Sequence, residues 1–210
     1  LAIFGIAMGI ILLPSLSKAI KQNDQKEIQA TQNRSLEFCL LISIPSAVGL
    51  YILSEPIIYI LFERGAFLSS DTLYTANVLS MFSLGLPAYI LTKVLVTCFF
   101  AREDTKIPLY VSIASVVINI ILSLLLIQSM RETGIALATA ISAWVNALLL
   151  YVILKARDNI TLDSRFINHS VKSIVCSTVM GVACYYLNLS LFPHMNTHST
   201  ANNAAALIVA

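Results

Sequence analysis

Charge is what this sequence most lacks. Asp, Glu, Lys and Arg make up 11% of its 210 residues, against about a quarter in a soluble domain. So few hydrated groups cannot cover a globular surface over a chain that is 58% hydrophobic, which excludes the soluble classes and leaves no case for a nucleic-acid partner. Patterns that carry chemistry are scarce too. Cys39, Cys98, Cys176 and Cys184 all lie in apolar runs without CxxC or Cys/His spacing. Neither a disulfide framework nor a zinc site is supported, and they read as buried small hydrophobes. His169, His194 and His198 read as solvated loop or span-edge residues without metal-ligand spacing. No nucleophile elbow, Gly-rich phosphate loop, HExxH or carboxylate pair within a span occurs. An enzyme therefore has no residues to stand on, and no metal or cofactor is expected. The run Leu1 to Leu13 lacks a basic stretch before it, since Lys18 and Lys21 follow it, so it is not a signal peptide. The chain starts without Met and ends in an apolar run, and reads as a fragment cut within spans at both ends.

What is present is a series of long apolar runs. A stretch of about 18 or more apolar residues reads as a membrane span. On that criterion the chain is an all-α, polytopic transmembrane bundle of six complete or nearly complete spans and a truncated seventh. The six are Ile3 to Leu16, Phe38 to Leu53, Leu73 to Phe100, Ile107 to Ile127, Gly134 to Leu154 and Val171 to Phe192; the seventh begins near Ala204. Between the first two, Lys18 to Arg34 is polar and helical in pattern. Asp24 and Glu27 are spaced there as a capping box, and Ile28 is expected to face the membrane. Ser54 to Thr72 holds a short apolar piece, Ile57 to Phe62, opened by Pro56 and closed at Glu63-Arg64-Gly65, where Gly65 suits a C-terminal cap. An interfacial or re-entrant turn is expected.

Orientation follows from Lys and Arg. Ten of them, from Lys18, Lys21, Lys26 and Arg34 through Arg102 and Lys106 to Lys155, Arg157, Arg165 and Lys172, fall on one side of this alternation; only Arg64 and Arg131 fall on the other. The positive-inside rule makes the ten-cation side cytoplasmic, and with it loops 18–35, 101–106 and 155–170.

One cation lies well inside a span. Lys93 is nine residues before Arg102, about 13 Å along a helix. Its stem would recover part of the roughly 2.5–3.5 kcal/mol that a central cation costs on the insertion scale. Snorkelling to the headgroups competes with a functional role. Asn119 and Asn146, on neighbouring spans, need internal partners in lipid. Helix-to-helix bonding is the main reading for them and lining a transport path the second. Gly5-xxx-Gly9, Gly134-xxx-Ala138 and Ser173-xxx-Ser177-xxx-Gly181 are small-residue ladders for close packing. Pro14, Pro45 and Pro87 are expected to interrupt three spans, each freeing a carbonyl. In the hairpin Arg102-Glu-Asp-Thr-Lys106, Asp104 or Thr105 is placed to cap the fourth span, with Pro108 in its first turn.

Several stretches together resemble the MurJ/MviN family of lipid II flippases, within the multidrug/oligosaccharidyl-lipid/polysaccharide exporter superfamily. They are Gly9 to Ser17, Ile44-Pro-Ser-Ala47, Leu61-Phe-Glu-Arg-Gly-Ala-Phe67, Lys93-Val-Leu95, Phe100 to Pro108, Gly134-Ile-Ala-Leu-Ala138 and Trp144 to Leu150. Their order and spacing cover residues 1 to about 155; beyond Asn168 only the pattern of two further spans agrees. The resemblance implies a two-lobed fold around a central cavity. It implies export of the undecaprenyl-linked peptidoglycan precursor across the bacterial inner membrane by alternating access. Residues 1–155 would be helices of the C-terminal lobe, and residues 156–210 extra C-terminal helices. It also implies that the main cavity cations lie on earlier helices, and that Val171 to Phe192 with the last span line a groove for the lipid tail. An exporter of drugs or other polysaccharide-lipid intermediates is the nearest rival, and a membrane enzyme acting on polyprenyl lipids a more distant one.

Overall fold

The computed structural model describes residues 2–157, 160 and 163–191. Within them the chain forms six helices and no strand: α1 (Ala2–Lys21), α2 (Gln25–Ile52), α3 (Ser54–Phe62), α4 (Ser69–Phe100), α5 (Lys106–Ala156) and α6 (Ser164–Leu191). The expected seventh span near Ala204, together with His194 and His198, lies outside the described residues. At 51 residues, α5 is far longer than the roughly 20 needed to cross a bilayer. Its backbone leaves helical geometry at Arg131, with φ 50° and ψ −131°, and folds into two arms, 106–130 and 132–156. These are the expected fourth and fifth spans. Counting both arms, α1, α2, α4, α5 and α6 supply six segments of crossing length. The large apolar side chains left on the outside, such as Ile11, Tyr110, Leu124 and Val179, are what a lipid-facing surface requires.

Among the described residues, the reversals after α1, α3, α4 and the first arm of α5 are each made by a few residues. Asn23, Gly65, Glu103 and Arg131 all take positive φ, so each of these four bends rests on one left-handed residue. After Asn23, the Asp24 carboxylate accepts from the backbone N–H of Lys26 and of Glu27, both at 3.1 Å. That is the acceptor half of the expected box. Beyond α3 the cap is Glu63, with Gly65 two residues later at φ 62°. The Glu63 carboxylate accepts from Ser69 Oγ at 2.9 Å and Thr72 Oγ1 at 2.6 Å, tying the short helix to the first turn of α4, where an anion is favoured. Arg64 turns back to donate to the Ile60 carbonyl.

Four expectations need correcting. Pro14, Pro45 and Pro87 lie inside α1, α2 and α4 without ending them. One missing N–H is tolerated where the remaining ladder holds, and the next residues Ser15 and Ser46 donate to Ile11 O and Ile42 O. The polar stretch before the second span is continuous with it in α2, and Ile28 is buried in the core at 3% exposure instead of facing lipid. His169 is not in a loop: it sits in α6 with Nδ1 2.6 Å from Glu37 Oε1, which binds α6 to α2. Cys39 and Cys98 are buried as expected, but Cys176 is exposed.

The best-packed region is the end of the bundle that carries the Arg102–Lys106 turn. Leu16, Ile28, Leu36, Val94, Phe99 and Leu150 belong to one buried cluster there. The small-residue ladders do their part elsewhere. A Cβ at Gly134 would stand 2.6 Å from Leu126 O, and one at Gly181 2.7 Å from Val48 Cγ1. The two arms of α5 meet at the first position and α6 meets α2 at the second, beside buried Ser173 and Ser177. The surroundings of Gly5 and Gly9 lie outside what is described.

Candidate functional site

Polar side chains at helical spacing come together between α4 and the two arms of α5. Ser112, Ser115 and Asn119 follow one another at intervals of three and four on the first arm, as do Thr139, Ser142 and Asn146 on the second. Such spacing puts each trio on one helix face. The two faces meet Tyr89, Thr92 and Lys93 of α4 around an open recess of about 300 Å³. All three residues singled out by sequence for a transport path, Lys93, Asn119 and Asn146, line it.

Within the recess Asn119 is the organiser. Its Nδ2 donates to Thr139 Oγ1 at 3.2 Å and Ser142 Oγ at 3.0 Å, and its Oδ1 accepts from Ser123 at 3.5 Å. Thr139 and Ser142 pass their own protons to the Ile135 and Thr139 carbonyls, which leaves their oxygens free to accept from the amide. The main reading of Asn119 as an interhelical bond is met. Asn146 behaves differently. Its Oδ1 is buried without a hydrogen-bond partner, and so is Ser115 Oγ, which also borders the recess. Lys93 stands exposed at the mouth, one turn before Thr97, whose hydroxyl donates to the Lys93 carbonyl at 2.9 Å. The recess thus sets one exposed ammonium beside buried oxygens of Asn146 and Ser115 that have no hydrogen-bond partner. Sequence reasoning missed the hydroxyl residues because Ser and Thr in apolar helices commonly bond back to their own carbonyls; the shared three-and-four spacing with the asparagines is the signal that finds them.

The hairpin between α4 and α5 lies apart from the recess. Arg102 Nη1 donates to Cys98 O at 2.9 Å, and Asp104 Oδ1 accepts from the Ile107 N–H at 3.3 Å. Thr105 takes the cap position, but Asp104 supplies the bond, with Pro108 in the first turn. Asp104 Oδ2 also meets Arg157 Nη1 at 2.8 Å, joining the turn to the end of α5. Desolvation raises the Asp104 carboxyl, but the bonds from Ile107 and Arg157 and the Arg157 charge outweigh it and hold the group below its ordinary value. Lys106 is exposed at the start of α5. Among the described residues no group of His, Cys, Asp or Glu is arranged to hold a metal ion.

Helices of crossing length, outward apolar side chains and a polar recess between spans define a multi-pass membrane protein. Residues 1–205 match the family described as Lipid II flippase MurJ, and the chain belongs to that family. It is 41% identical over 200 residues to the probable lipid II flippase MurJ of Rhizobium tropici, covering 95% of this chain and 38% of that protein. The corresponding protein of Rickettsia prowazekii (strain Madrid E) is 41% identical over 182 residues, covering 87% of this chain and 36% of its own length. A solved structure titled lipid II flippase MurJ, inward closed conformation, superimposes with TM-score 0.77 at 28% identity, over 99% of this chain and 42% of that one. The chain spans well under half the length of these relatives.

Proposed function

We propose that this chain forms the C-terminal lobe of a transporter that carries lipid II, the undecaprenyl-linked peptidoglycan precursor, across the bacterial inner membrane by alternating access. Family membership supplies the substrate class. The observation that carries the reading is the polar recess between apolar spans, lined by Lys93 of α4 and by Asn119 and Asn146 of α5. In this reading residues 1–155 belong to the flippase core and 156–210 are additional C-terminal helices. Loops 18–35, 101–106 and 155–170 face the cytoplasm, since they hold the excess of Lys and Arg. The chain binds and moves its substrate without breaking bonds and needs no cofactor. Lys93 supplies a compact ammonium to a phosphate or to a partner carboxylate in one state of the cycle. The acceptors of Asn146 and Ser115 are available to substrate donors or to the Lys93 ammonium in another. The test is complementation: full-length protein containing this chain restores growth to a flippase-depleted strain. Failure to do so with normal membrane insertion would contradict the assignment.

A further inference from the structure

A second feature lies outside the recess. Because α2 and α5 hardly touch while both pack on α4, α4 forms the floor of a groove between them. Leu84, Pro87, Leu91 and Leu95 make that floor, and Trp144 stands in the wall shared by its two sections of about 390 and 150 Å³. The Trp144 indole is fixed in place, donating from Nε1 to Leu84 O at 3.0 Å. All side chains around the groove are apolar or aromatic. From Leu84 to Leu95 is eleven residues of helix, about 16 Å, close to the thickness of one leaflet of hydrocarbon.

One end of the groove is charged. Trp144, Leu148, Tyr151 and Lys155 are spaced by four, three and four, so Lys155 continues the α5 wall one turn past the last lining residue. On the other side Phe166 of α6 lines the groove, and exposed Arg165 immediately precedes it on the same helix. Neither cation has a salt bridge among the described residues, whereas the nearby Arg157 is committed to Asp104. An apolar slot one leaflet deep, with two cations near its end that form no salt bridge among the described residues, fits a molecule with a hydrocarbon chain and an anionic head.

We infer that this groove is a binding site for an anionic phospholipid of the leaflet at the Lys155 end, with an acyl chain along Leu91 and Leu95 and the phosphate at Lys155 and Arg165. The lipid is a resident of the bilayer, not the transported substrate, and the inference does not rest on the transport reading. Full-length protein is reconstituted in phosphatidylcholine bilayers with trace spin-labelled phosphatidylglycerol or spin-labelled phosphatidylcholine, and the motionally restricted fraction of each label is compared. Preference for phosphatidylglycerol is expected, falling roughly fivefold for each cation removed in Lys155→Gln and Arg165→Gln and kept in Lys155→Arg. A groove-filling Leu91→Trp, checked for unchanged melting temperature and monodispersity, is expected to reduce restriction of both labels. Equal restriction of the two labels, or no change in Lys155→Gln with Arg165→Gln or in a folded Leu91→Trp, would overturn the site and leave only ordinary boundary lipid.

Discussion

Asn119 on the first arm of α5 donates to Ser142 on the second, 23 residues later, across 3.0 Å. With the parallel bond to Thr139, this joins two helices that have no hydrophobic force to hold them together in lipid. Asn119→Leu removes both bonds and is expected to destabilise the full-length protein by about 1 kcal/mol, interhelical bonds in membranes averaging about 0.6 kcal/mol each. Thermal melting in detergent reads it. An unchanged melting temperature would show that the arms are held by packing alone.

The glycine contacts predict an order of sensitivity. At Gly134 an added methyl meets backbone, Leu126 O at 2.6 Å and Leu126 C at 2.8 Å, while at Gly181 it meets the tips of the Val48 and Ile52 side chains. Side-chain tips move and backbone does not. Gly134→Ala is therefore expected to cost about 1–3 kcal/mol, as overpacking does, and Gly181→Ala less than Gly134→Ala. Equal melting temperatures for the two variants would refute the ranking.

Asp104 and Arg157 give a pH dependence whose sign is fixed. The Asp104 carboxyl is held below its ordinary value, so its contribution to stability is present above the unfolded carboxylate value, near pH 4. It is lost as pH falls through the lower folded value. Melting curves of wild type and Asp104→Asn are expected to differ at neutral pH and to converge in acid. A constant difference down to the most acid pH would rule out this pair as the source.

Much of the architecture was legible because few segments of this sequence can avoid the membrane. Span positions, the hairpin near Arg131 and the caps at Asp24 and Asp104 all follow from runs of apolar residues broken by short polar turns. Membrane-facing and core-facing apolar residues look alike in sequence, and only burial in the cluster that also holds Leu16, Leu36 and Phe99 marks Ile28 as core. Polar residues before the apolar run of α6 suggest a loop at His169, while its partner Glu37 lies on a helix distant in sequence. The prolines misled in the opposite sense, since a helix held by its neighbours survives the loss of one bond. The recess was half legible: Lys93, Asn119 and Asn146 stand out against apolar surroundings, but their convergence depends on how α4 and α5 pack.

Sidedness is open to a direct check. Gln22 and Ser69 are both exposed, in the turn after α1 and at the start of α4. Single cysteines at each, in a cysteine-free full-length protein, are expected to react with an impermeant reagent from outside at position 69 only. Labelling at position 22 in intact cells would invert the orientation derived from the Lys and Arg count.

The central claim is that the recess of α4 and α5 lies on the transport path, and Lys93 is its one cation. Losing a charged hydrogen bond costs roughly 1.5–3 kcal/mol, so Lys93→Met in the full-length protein is expected to slow lipid II translocation at least about tenfold at normal membrane abundance. Lys93→Arg, which keeps the charge but changes its shape, is expected to recover part of the rate. The deciding measurement is the rate at which lipid II reaches the outer leaflet in a flippase-depleted strain carrying each variant. A wild-type rate for Lys93→Met would reduce Lys93 to a side chain reaching for the headgroups and contradict the account.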